Sequence, residues 1–84
     1  MVTTMRMTKR VIDLHGKSHD EAKLLVEEEI INLSLVGPFQ AEIITGNSQI
    51  LKDKIIKEVL EEHQFNYYFN PNNFGVIYVD FVSF

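Results

Sequence analysis

The feature that most constrains this chain is the passage Val11-Ile12-Asp13-Leu14-His15-Gly16, which runs directly into Lys17-Ser18-His19-Asp20-Glu21. Side chains alternate across a strand, so Ile12 and Leu14 share one face while Val11, Asp13 and His15 share the other. Gly16 ends the strand, and Ser18 with Glu21 three residues on matches a capping box. The passage predicts a strand, a turn and a helix start in immediate succession. It also sets Asp13 and His15 together beside a helix N-terminus, a place suited to a proton-handling pair or an anion site. A purely structural carboxylate–imidazole contact accounts for the same spacing.

The helix that follows spans Ser18 to Val36 and stops at Gly37-Pro38. At 100° per residue, Ala22, Leu25, Val26, Ile30, Leu33 and Val36 form one apolar face. Glu29 falls inside that stripe, so it must sit at its margin, find a partner or snorkel. Leu24, Ile31 and Leu35 make a second stripe, read either as incidental surface or as a partner face. Ala41 to Thr45 is a second strand, ending in Thr45-Gly46-Asn47-Ser48, where Asn47 or Ser48 caps a second helix, Gln49 to His63. Its apolar positions Leu51, Ile55, Ile56, Val59 and Leu60 are one-sided. Phe65–Phe69 and Val76–Phe81 alternate as strands around the turn Asn70-Pro71-Asn72-Asn73.

The order β-α-β-α-β-β predicts an α/β (α+β) two-layer sandwich, a four-stranded mixed sheet with both helices on one face. The first two strand ends then share one rim. There His15-Gly16-Lys17-Ser18 and Thr45-Gly46-Asn47-Ser48 bring two helix starts together, an arrangement suited to phosphate. Lys17 and Lys52 are the nearby cations. Helix caps need glycines and small polar residues whatever the function, so spacing alone leaves a structural reading open.

Composition narrows the classes. The 84 residues suffice for one small domain with a modest core. With no cysteine there is no disulfide framework or thiolate metal site. No apolar run is long enough to span a membrane and none resembles a signal-peptide core, so a cytoplasmic protein is expected. The net charge is −4, yet residues 1–10 carry Arg6, Lys9 and Arg10 and no acid. Residues 1–9 read as a mobile basic arm and 10–84 as the domain. An acidic domain lacks the broad basic footprint of most nucleic-acid binders, so any phosphate contact must be local.

The chain resembles the Smr (small MutS-related) domain family over residues 10 to about 81, nearly its whole length. Ile12-Asp13-Leu14-His15-Gly16 is similar to the family's L-D-L-H-G strand-turn, and Ser18-x-x-Glu21-Ala22 to its T-x-x-E-A helix start. Thr45-Gly46-Asn47-Ser48 stands where the family has H-G-x-G, and Asn70-Pro71 through Gly75-Val76 resembles its closing segment. The resemblance implies a nucleic-acid-binding domain, often a nicking DNA or RNA endonuclease, with a fold likened to the C-terminal domain of translation initiation factor three. It carries Asp13, His15 and Gly16 over as residues of cleavage or binding, and Gly46 as the glycine of the second loop.

Thr45 replaces the family's second-loop histidine, and Asn47 and Ser48 replace a frequent basic residue and a glycine. Cleavage would then rest on His15 as general acid or base, with Asp13 fixing its tautomer. His19 could lend a second imidazole, although it reads first as an exposed first-turn residue. A divalent cation such as magnesium is a conceivable cofactor, but one carboxylate and one imidazole make no dedicated site, even if His19 and Asp20 are recruited. The alternative is a non-catalytic module binding RNA, a ribosome or a protein. A homodimer through the Leu24/Ile31/Leu35 stripe or the Tyr68/Tyr78 sheet face is compatible with either.

Overall fold

The computed structural model describes residues 7–82. The elements are β1 (Thr8–Asp13), α1 (His19–Val36), β2 (Phe39–Ile44), α2 (Gln49–Ile55) with a π-helical continuation (Ile56–Glu61), β3 (Asn66–Asn70) and β4 (Asn73–Phe81). They form the expected two-layer α+β fold. Of the predicted arm, residues 1–6 lie outside the described residues. Thr8 and Lys9, assigned to that arm, instead open β1, where they pair with Phe39 and Gln40.

The sheet order is β1-β2-β4-β3. β1 runs parallel to β2, while β4 is antiparallel to both β2 and β3. The last strand therefore inserts between β2 and β3, and β2 and β3 point the same way. Alternation decides the inner face: Ile12, Phe39, Ala41, Ile43, Ile77 and Val79 are buried there. Ala22, Val26, Ile30 and Leu33 of α1 and Leu51 and Ile55 of α2 join the same core. Phe39, Phe65 and Phe81 gather at the end of the sheet remote from the rim, with centroids 5.5–6.1 Å apart.

Helix α1 is as the sequence predicts, with Ser18 as N-cap. The cap differs in one contact: Ser18 Oγ accepts the Glu21 N–H at 3.2 Å and donates to Glu21 Oε1 at 2.8 Å. The glutamate thus returns to the hydroxyl. Val36, expected in the buried stripe, is 81% exposed, because it ends the helix where Gly37 turns the chain away. Glu29 finds its partner in Arg10 at 3.9 Å.

The second helix is not the regular α-helix expected from Gln49 to His63. After Ile55 it widens into π winding, and Phe65 N–H reaches back five residues to the Leu60 carbonyl at 2.8 Å. The wider turn brings Val59 and Leu60 onto the core side below Ile55, and all three are fully buried. Two ion pairs and a hydrogen bond stitch the helices: Asp20 to Lys54 at 3.4 Å, Lys23 to Glu58 at 3.9 Å, and His63 Nε2 to the Glu27 carboxylate at 3.1 Å. The numbers rise together, so the helices run side by side in the same direction. Each exposed pair is worth at most about 1 kcal/mol.

Candidate functional site

Parallel pairing of β1 with β2 sets Asp13 opposite Ile44, and Leu14 N–H continues the ladder to the Ile44 carbonyl at 3.1 Å. Both chains then turn through glycines with positive φ, Gly16 at +76° and Gly46 at +65°. A methyl group would meet nothing within 4 Å at either position, so backbone conformation and not space selects glycine there. Beyond the turns lie the starts of α1 and α2, the latter capped by Ser48, whose Oγ accepts the Leu51 N–H at 3.2 Å.

Between the turns is an open cleft of ≈ 420 Å³. It is lined by the predicted Asp13, His15, Gly16, Lys17, Thr45, Gly46 and Ser48, over a floor of Leu14, Ile44 and Leu51. His19, read from the sequence as a first-turn surface residue, is exposed and also lines it. It stands four residues beyond His15, the one local signal that could have brought it forward. Asn47 is exposed in the second turn without lining the cleft.

Three expectations change. First, Asp13 does not orient the His15 ring. Its Oδ1 accepts the backbone N–H of His15 at 2.9 Å, an Asx-type turn that shapes the strand end. The imidazole has no hydrogen-bond partner among the described residues.

Second, Thr45 and Gly46 are not free to cradle an anion through their backbone. Their N–H groups both donate to the Gly75 carbonyl, at 2.9 and 3.1 Å. The Thr45 hydroxyl, nearly buried, lies 3.3 Å from the carbonyl oxygens of both Gly46 and Gly75. A threonine where the resemblance expects histidine therefore ties the end of β2 to the start of β4. This contact depends on β4 lying beside β2, and nothing local to Thr45 announces it.

Third, Lys52 is buried at 7% exposure and does not line the cleft. The ammonium is not among the sealed, unsatisfied polar atoms, so it snorkels to solvent.

What remains for a ligand is Lys17, the imidazoles of His15 and His19, and backbone N–H groups of Gly16 and Ser48 that meet no protein acceptor within the described residues. Asp13 is the one carboxylate in the lining, and Asp20 is engaged by Lys54. The cleft thus carries one ammonium, one carboxylate and two imidazoles, a balanced lining in an otherwise acidic domain. Among the described residues no three histidine, aspartate or glutamate side chains group to hold a metal ion, so the donor set does not fit a dedicated magnesium site. No described helix is long and apolar enough to cross a membrane.

Comparison with protein-family models, with curated proteins and with solved structures finds no match to this chain.

Proposed function

We propose that the rim cleft binds the sugar–phosphate backbone of DNA or RNA in the manner of an Smr-like domain. The observation that carries this reading is the meeting of Lys17, His15, His19 and unpaired N–H groups from two glycine turns in one open concavity. Phosphate is the ligand such donors suit: ammonium and amide groups neutralise and hydrogen-bond its oxygens, and the glycine turns leave the backbone uncovered. The Ile12–Gly16 motif, the element order and the closing hairpin support the family reading.

If the domain cleaves, His15 and His19 are the groups able to exchange protons with a 2′-hydroxyl, a water or a leaving oxygen. General acid–base help of this kind contributes on the order of 10²–10⁴-fold. Asp13 then acts by holding the turn that presents His15. A non-catalytic binding module is the second reading. It is favoured by the engagement of Asp13 with the backbone and of Thr45 with Gly75, which leaves neither side chain poised for the chemistry.

One gel separates the two. Wild type and Asp13→Ala/His15→Ala are incubated with structured RNA, single-stranded RNA and supercoiled DNA, with and without magnesium. Cleavage abolished in the folded double variant supports a nuclease. A salt-sensitive shift without cleavage supports the module. Neither cleavage nor a shift sinks nucleic-acid binding at this rim.

A further inference from the structure

Among the described residues the helices cover one face of the sheet and nothing covers the other. On the bare face the strand register aligns Val11, Glu42, Tyr78 and Tyr68 in one row across all four strands, with Lys9 and Asp80 on the next. Tyr68 and Tyr78 stack with centroids 5.3 Å apart and planes at 13°. They border an open groove of ≈ 300 Å³. Val11 is 59% exposed and Tyr68 48%. Such apolar and aromatic surface on a sheet face is a cost unless something covers it.

The charges on this face are unspent. Lys9, Glu42 and Asp80 have no ion-pair partner among the described residues. Lys9 lies on the edge strand, two strands away from Asp80. Strand spacing puts their backbones about 10 Å apart, too far for a direct pair within one chain. Arg10 alternates with Lys9 to the helix side of the sheet, where it pairs with Glu29.

This distribution decides the occupant. A polyanion laid on the face meets Glu42 and Asp80, and a polycation meets Lys9. The occupant must carry both signs in a matching arrangement around an apolar centre. A second copy of this chain carries both signs around the same apolar centre, and about a twofold axis every contact of the isologous interface occurs twice. Two sheets packing face to face at about 10 Å also bury the tyrosines and Val11. We infer that the bare sheet face is a homodimer interface, in which Lys9 of each protomer meets Glu42 and Asp80 of the partner subunit. It lies apart from the rim cleft and does not depend on what that cleft binds.

The test is sedimentation velocity across the micromolar range on the full chain and three charge variants, with circular dichroism confirming the fold of each. Wild type is expected to dimerise. Lys9→Glu, and separately Glu42→Lys/Asp80→Lys, place like charges across the interface and weaken association on the order of 100-fold. The triple variant Lys9→Glu/Glu42→Lys/Asp80→Lys restores opposite signs and the dimer. Wild type that stays monomeric overturns the inference. So does a dimer that resists both charge variants but dissolves in Leu24→Arg/Leu35→Arg, which would move the interface to the exposed stripe of α1.

Discussion

The carboxylate of Asp13 accepts the backbone N–H of His15 at 2.9 Å and leaves the imidazole to solvent. The two residues form a pair, but one made by a turn. The consequence is specific: an uncharged acceptor can replace Asp13, whereas nothing isosteric replaces the ring of His15.

Asp13→Asn is therefore expected to keep the turn, because the amide oxygen can accept the same N–H. Any nucleic-acid affinity or cleavage should stay within a few-fold of wild type, while Asp13→Ala loses about 1 kcal/mol of stability with the turn. Urea unfolding of both variants beside a binding titration checks this. A loss of cleavage in Asp13→Asn as large as in His15→Ala would return the carboxylate to a role on the imidazole.

Lys17 is the one lysine lining the cleft. Lys17→Ala should weaken binding uniformly across sequences and lower the slope of log K against log salt by about 1. Lys52→Ala, by contrast, should leave that slope unchanged, since Lys52 is buried and does not line the cleft. Titrations at several salt concentrations distinguish them, and a changed slope in Lys52→Ala would restore that residue to the site.

Thr45→Val should cost about 1 kcal/mol of unfolding free energy through the lost hydroxyl contacts to the Gly46 and Gly75 carbonyls. Gly46→Ala should cost about 1–2 kcal/mol, because φ of +65° lies in the left-handed region that L side chains disfavour. Denaturant curves give both values. An affinity loss in Thr45→Val larger than its unfolded fraction explains would mean that the hydroxyl meets the ligand.

The Tyr67 hydroxyl donates to Glu61 at 2.9 Å, and this hydrogen bond, with lesser help from burial and from the negative charge of Glu61, raises the phenol above its usual 10.0. Raising an acid's pKa on folding stabilises the protonated form. The contribution is present below pH 10.0 and is lost as pH rises through the higher folded value. Wild type should therefore lose up to about 1 kcal/mol over that alkaline window relative to Tyr67→Phe, the small size reflecting solvent screening. Paired unfolding curves at neutral and alkaline pH measure the difference.

Contiguous residues determined much of this protein. Alternation around Ile12 and Ile43, the Ser18 and Ser48 caps, Gly16, Gly46 and the turn at Pro71 specify four strands and two helices in order, because period, capping and positive φ are properties of a few neighbouring residues. Parallel neighbours each followed by a helix then bring the two glycine turns to one rim. Tertiary structure decided the rest. Inserting β4 between β2 and β3 brings Gly75 against Thr45 and Gly46 and consumes their donors, and it lines up Tyr68, Tyr78 and Glu42 on the bare face. The π winding after Ile55 answers to the core that Val59 and Leu60 must fill. Burial of Lys52 is likewise a property of the packed helix and not of the residue type. Each depends on which surfaces meet across dozens of residues, and a side chain's partners are set by that meeting more than by its own type.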